Sequence, residues 1–445
     1  MKRYSWPIVV LFFILLASCK PKTQEFPFKP DPNSNIAIIG NSFALGLQRS
    51  NYFETLLYQS FPEEKLTIRN LGWDADEVNL RPRPLNFGTI QQHLKDLQAN
   101  VIFACFGMNE SFKGPDSLDV FKQDLKSLLE SLQKQEIPNQ NNPQIFLISP
   151  IAHEKINENL PDPSEHNKNL KIYSKGMAEV AKAMNIPFID LFTPTKDKMD
   201  AGSEALTSDG IHLNEQGFKF VSEIMAKALV LPKQSWEVNK ENEELRKLVG
   251  IKNQHYFYRS KSQNGEYIYG RRREWAGGQE LPNELQKIDH IVDQLDSLLW
   301  TTSKPGTSID QSAVKKIIES GIVKPDPENI KPTTAADLEY AKSQFILPEG
   351  FEIELFASEK DFPLANPVSA TFDAKGRMWV STMPSYPNYS PGNPPNDKII
   401  ILEDTNADGI ADKHSVFADS LYLPLGFELG DGGVYVTQAP DFVFL

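Results

Sequence analysis

Cysteine is nearly absent from this chain, with two among 445 residues. Neither a cysteine-rich zinc site nor a CxxCH haem attachment can be written with so few. One of the two, Cys105, sits inside the apolar run VIFACFG and reads as a small buried hydrophobe. Positive charge is also in deficit: 46 Lys and Arg stand against 59 Asp and Glu, a net charge of -13. That balance argues against a general nucleic-acid binder and means that any acidic substrate needs a local basic patch. What remains has globular proportions, 40% hydrophobic and 24% charged. A chain of this length should divide into roughly two to four domains at ~100–200 residues each.

The first 18 residues, MKRYSWPIVVLFFILLAS, combine a basic start, an apolar stretch and small residues just before Cys19. The apolar run is short for a membrane span of ~20 residues. The ending LASC resembles the lipobox of bacterial lipoproteins. That resemblance implies lipidation of Cys19 and attachment to a membrane of the bacterial cell envelope, which would leave no cysteine pair for an internal disulfide. Residues 19–34, polar and rich in proline, suit a spacer.

From 35 to 232, short apolar runs alternate with helical patterns. NIAIIG, KLTIRNLG, VIFACFG, QIFLISP and PFIDLF have the length and continuous apolarity of strands buried on both faces. Between them, residues 117–135 and 169–185 repeat apolar positions every three or four residues. The expected fold class is α/β, a parallel sheet covered by helices. In such a sheet, residues just beyond the carboxyl ends of the strands are the candidates for function.

Ser42 is one of them. After a strand, a serine can cap a helix, make a turn or act as a nucleophile, and the other strand ends decide. Gly72 closes KLTIRNLG, Asn109 follows VIFACFG, and Asp209 and His212 stand in SDGIHLN before the helix QGFKFVSEIMAKAL. Together these types fit acyl transfer. Ser42 would attack an ester carbonyl, His212 would shuttle the proton, and Asp209 would orient the imidazole. The N–H groups of Ser42 and Gly72 and the Asn109 amide would receive the oxyanion. His153, in SPIAHEK after another strand, is a candidate substrate contact or a plain loop residue. His93, His166, His255, His290 and His414 carry no assignment.

GNS at 40–42, Gly72, GMNE at 107–110 and DGIH at 209–212 resemble, in order, the four sequence blocks of the SGNH (GDSL-like) hydrolases. The resemblance covers about residues 35–230. It implies a flavodoxin-like three-layer α/β/α domain and a serine esterase or acylhydrolase with the roles just given and no cofactor. No GxSxG elbow surrounds Ser42, which counts against an α/β-hydrolase. One departure is Asn41, where the family usually has aspartate. A site kept only for binding glycans is the alternative that this departure opens.

Residues 233–334 are expected to form a helical extension and linker. Leu285, Ile288, Ile291, Leu295 and Leu298 line one face of its main helix, and Arg271, Arg272 and Arg273 are either a grip for a substrate anion or a solvated run. From 335 to 445 the period shortens to two. FEIELFA, RMWVST, KIIILED and ELGDGGVYVTQ are expected antiparallel strands. Asp404, Asn406, Asp408 and Asp412, with Gly409 at the turn, match the start of a calcium loop, although Ser415 takes the place of the closing glutamate; an Asx-rich hairpin turn fits equally. PEGFEIELFAS, NPVSATFDAKGRMWVS and GDGGVYVTQAPD resemble the opening of the β-propeller of bacterial membrane-bound dehydrogenase-type proteins. That implies a partial propeller, a chain that continues further, and an alternative in which the esterase-like domain is auxiliary to an oxidoreductase. Acyl esters on glycans or small molecules are the expected substrates.

Overall fold

The computed structural model describes residues 25–445 apart from 84–85, 136–141, 203, 262–268, 270–279, 321–337, 387–393 and 439–440. Cys19 with its leader, and Arg271, Arg272 and Arg273, lie outside the described residues. No helix among the described residues is long and apolar enough to cross a membrane.

Five of the apolar runs form β1 (Asn35–Gly40), β2 (Thr67–Asn70), β3 (Val101–Cys105), β4 (Gln144–Ile148) and β5 (Phe188–Ile189). They pair in parallel in the order β2-β1-β3-β4-β5. That is the flavodoxin-like order, which turns back at β1 and β3 and opens a crevice at their carboxyl ends. Because side chains alternate along a strand, Ile36, Ile38, Phe103, Phe146 and Ile148 supply one core, while Ala37, Ile39, Ile102, Ala104 and Leu147 supply another.

Helices cover both faces. α1 (Ser42–Ser50), α2 (Tyr52–Ser60) and α8 (Glu215–Ala228) pack on the first core. α3 (Ile90–Asp96), α5 (Leu118–Gln133) and α6 (Ser164–Ala183) pack on the second. The short α4 (Met108–Ser111) and α7 (Phe192–Asp200) follow β3 and β5. The expected three-layer arrangement is therefore present.

The helical extension shares this core. Leu245 and Leu248 of α9 (Lys240–Ser260) and Ile291, Leu295 and Leu299 of α10 (Glu280–Thr302) are buried in the first cluster. Charge fastens the same contact. The fully buried Lys252 pairs with Glu54 and donates to the Ile68 carbonyl at 3.0 Å, Arg69 meets Asp296 at 2.6 Å, and Trp300 Nε1 donates to the Leu66 carbonyl at 2.7 Å.

Toward the C-terminus, β6 (Pro367–Phe372), β7 (Met378–Thr382), β8 (Asp397–Glu403) and β9 (Lys413–Leu421) form an antiparallel meander; β10 (Pro424–Gly430), β11 (Gly433–Gln438) and β12 (Asp441–Phe444) form a second sheet. Trp379, Ile399, Ile401, Val434 and Val436 make a core common to both. The expected strand FEIELFA is not one. It has the right period but joins no strand ladder among the described residues: Phe356 and Ala357 pack on the sheet, and the Phe356 carbonyl accepts from Ala411 N at 2.9 Å.

Candidate functional site

β1 ends at Gly40 with φ +138°, where an added Cβ would lie 2.0 Å from the Cys105 carbonyl oxygen. Only glycine lets the chain leave the sheet so close to β3. The next residue, Asn41, is buried and extended, and its Oδ1 accepts from Phe43 N at 3.1 Å, capping α1. Ser42 is thus the first residue of the helix and not its cap. Its N–H lacks an intrahelical acceptor and sits at the positive end of the helix. Its half-buried side chain lines a cleft shared with Asn109, Ser149, Ile211 and His212, about 30 Å³ in volume.

His212 Nδ1 lies 2.7 Å from Asp209 Oδ2. Asp209 Oδ1 also accepts from Ile211 N at 3.1 Å and His212 N at 2.8 Å. Burial raises the Asp209 carboxyl, but the bonds from His212 and Ile211 outweigh it and hold the group below the usual carboxylate range. A carboxylate at that distance favours the tautomer that carries its proton on Nδ1, which leaves Nε2 bare.

Asn109 Nδ2 donates one hydrogen to the Asp76 carbonyl at 3.1 Å, which orients the amide and leaves its second hydrogen. Beside it, the buried Glu110 accepts from Gly107 N and Val78 N, both at 2.9 Å, tying the β3 exit to the loop after β2.

Gly72 requires a correction. Its N–H, expected to face the oxyanion, donates to Asn70 Oδ1 at 2.8 Å. The missing side chain serves packing instead, since a Cβ there would lie 2.7 Å from both Ala44 Cβ and Leu45 N of α1. The same Asn70 donates to the Ala44 carbonyl at 2.6 Å, so it bridges β2 to α1.

Of the two readings of His153, contact with the Ser42 cleft is not seen. The residue is buried under Gly210, whose added Cβ would lie 2.8 Å from His153 Nε2, and it lies outside the lining of the Ser42 cleft. A hydrogen-bond chain sets its tautomer. Ser111 Oγ donates to the Met108 carbonyl at 2.7 Å and so accepts from His166 Nε2 at 2.8 Å. His166 Nδ1 is then bare and accepts from His153 Nδ1 at 3.0 Å. Burial pushes both imidazoles down, His166 to about 4 with His153 adding to the effect.

Sequence reasoning missed Glu154. Its buried carboxylate accepts from Leu206 N, Thr207 N and Thr207 Oγ1, the last at 2.6 Å, and its own N–H donates to the Gly210 carbonyl at 2.8 Å. The segment that carries Asp209 and His212 is therefore moored to the exit of β4. Position at that sheet edge was the available signal, shared with His153.

The 404–412 loop shows the features of an Asx-rich turn. Asp404 accepts from Ala407 N and Gly409 N, Asp412 from Thr405 Oγ1, and Asp408 from Ile410 N and Asn406 Nδ2, so the loop satisfies its own carboxylates as an Asx-rich hairpin turn. Among the described residues no three His, Cys, Asp or Glu are grouped to hold a metal ion.

The site and sheet place the chain among α/β proteins with Ser, His and Asn gathered in a cleft at the strands' carboxyl edge. Residues 38–220 match the GDSL-like lipase/acylhydrolase family, and residues 337–445 match a domain of unknown function (DUF7133). No curated protein matches the sequence. Similar solved structures include a gut microbial diltiazem-metabolizing enzyme, 12% identical with a TM-score of 0.44 over 64% of this chain and 97% of that one. A GDSL-like lipase from Parabacteroides merdae is 15% identical, with a TM-score of 0.37 over 46% of this chain and 99% of its own. A catalytic mutant of Axe2, an acetylxylan esterase from Geobacillus stearothermophilus, is 16% identical, with a TM-score of 0.36 over 47% and 100%.

Proposed function

We propose that the chain is a serine ester hydrolase that removes small acyl groups, O-acetyl foremost, from glycans or other alcohols. The observation that carries this reading is the pairing of His212 with Asp209 at 2.7 Å on the rim of the cleft that holds Ser42 and Asn109. In the proposed reaction Ser42 Oγ attacks the acyl carbon while His212 Nε2 takes the hydroxyl proton. Negative charge collects on the carbonyl oxygen, facing the Ser42 N–H and the free hydrogen of the Asn109 amide. His212 then protonates the departing alcohol, and a water molecule, deprotonated by the same nitrogen, releases the acid and restores Ser42.

The cleft beside Ser42 is small, which is compatible with an acetyl-sized acyl group. Asn41 keeps the acceptor that an aspartate would offer to Phe43 N, so its lack of charge does not by itself move Ser42. Lipidation at Cys19 would hold the enzyme to the envelope membrane, and the two C-terminal sheets would be the first part of a propeller; both readings rest on sequence resemblance.

The test is labelling with a fluorophosphonate probe followed by p-nitrophenyl acetate hydrolysis. Labelling of the wild type and its loss in Ser42→Ala, with turnover falling by about 10³ or more, is the expected result. A folded wild type that neither labels nor turns over would leave the binding-only alternative.

A further inference from the structure

The loop after β2 walls a second cavity. Trp73, Arg81 and Arg83 line it together with Phe87, His93 and Lys261, and its volume is about 280 Å³. Small-molecule sites run from ~300 Å³ upward, so this one suits a single sugar-sized ligand.

Two of the lining residues each carry a polar atom buried without a hydrogen-bond partner among the described residues, Lys261 Nζ and His93 Nε2. Lys261 is only 9% exposed, and its ammonium group faces aromatic rings, 5.5 Å from the centre of Trp73 and 5.3 Å from that of Phe257. Burial, with Arg83 near, pushes it down to about 7. The neighbouring carboxylate of Asp76 is already taken by both terminal nitrogens of Arg83, at 2.7 and 2.6 Å. Asp74 acts on Lys261 through space without a hydrogen bond. The Arg81 guanidinium donates to the main-chain carbonyls of Glu77 and Val78. Three cations thus surround one engaged carboxylate.

His93 supplies the complementary signal. Burial lowers its imidazole and so favours the neutral ring, one ring nitrogen bonds the Phe87 backbone, and Nε2 is left without a partner to serve as an acceptor. An unpaired buried ammonium and an unpaired buried acceptor each carry a desolvation cost that a ligand with matching groups would remove. The required ligand carries an anion and a hydroxyl on an amphipathic frame that tolerates aromatic walls.

We infer that this cavity binds a carboxylated sugar, with the carboxylate on Lys261 beside Arg81, a ring hydroxyl donating to His93 Nε2, and the sugar's C–H surface against Trp73 and Phe87. The assignment does not depend on ester hydrolysis, and it is tested in the full chain carrying Ser42→Ala. Isothermal titration with glucuronate and galacturonate, their neutral parents glucose and galactose, and inorganic phosphate separates the contributions. At least one uronate should bind ten-fold or more tightly than its neutral parent, and Lys261→Met should abolish that difference. Should Lys261→Met fail to fold, Arg81→Gln must weaken the uronate and leave the neutral sugar unchanged. Absence of uronate binding, equal affinity for acid and parent sugar, phosphate binding alone, or full affinity in a folded Lys261→Met chain would overturn the assignment.

Discussion

In the proposed reaction Asn41 and Ser42 divide two tasks that one serine would otherwise have to combine. A capping hydroxyl is committed to a helix N–H, whereas a nucleophile must be free to turn toward a base. Here the amide oxygen of Asn41 takes the cap, and Ser42 is displaced by one residue into the cleft. Asp209 shows a related division, since one oxygen holds the loop backbone and the other holds the imidazole. Asp209→Asn would offer an amide N–H to the His212 ring in one orientation or to the loop N–H groups in the other. Either choice sets donor against donor. We expect kcat to fall by about 10²–10⁴ with KM little changed, read from steady-state kinetics and from the rate of fluorophosphonate labelling. A loss below threefold would show that His212 needs no carboxylate to orient it. Because the Asp209 carboxyl lies below its ordinary range, it stays ionised through mildly acidic solution, so the acid limb of the rate profile belongs to another group.

At the scale of elements, the exits of β3 and β4 hold the site from below. Glu110 ties α4 to the loop after β2, Glu154 moors the 206–210 segment, and the Ser111–His166–His153 chain fills the space between α4, α6 and Gly210. Burial lowers both imidazoles, His166 to about 4, whereas an unfolded histidine titrates near ~6.5. The unfolded chain therefore binds more protons between those limits. The His166 contribution to stability is complete above about pH 6.5 and is lost as pH falls toward 4, by roughly 2–3 kcal/mol, with His153 acting in the same direction. Thermal unfolding at pH 7.5 and 5.0 checks this: His166→Asn should lower Tm at pH 7.5 and shrink the acid-induced drop. An unchanged drop would place the proton-sensitive group elsewhere. None of this chain was legible in the sequence. His153 and His166 are 13 residues apart with no ligand-like spacing, and only the packing of α6 brings them together. The strands and the DGIH loop were legible because continuous apolar runs and chemically special residues announce themselves locally. FEIELFA misled for the converse reason, since a period of two indicates a face but cannot supply a partner strand.

Across the whole molecule, the boundary near residue 232 marks a change of pattern but not a gap in the core. Sequence periodicity correctly identified the apolar face of α10, including Ile291 and Leu295. It was blind to Lys252, Glu54, Arg69 and Asp296, charged residues that read as solvent-facing until their partners, 198 and 227 positions away, are known. A chain ending at 232 would strip Glu54 and Arg69 of their buried partners and uncover the apolar side of α2 and β2. Breaking one buried pair costs ~3–5 kcal/mol, against a total stability of ~5–15 kcal/mol, so two such losses together with the exposed core should leave nothing folded. The antiparallel sheets stand differently, with a core of their own and an exposed Arg49–Asp441 contact at 3.9 Å toward α1. Residues 25–232 should therefore aggregate or lack a cooperative transition, whereas 25–336 should unfold cooperatively and react with the fluorophosphonate probe. Cooperative unfolding of the shorter chain with full probe reactivity would mean that α9 and α10 only decorate a domain already complete without them.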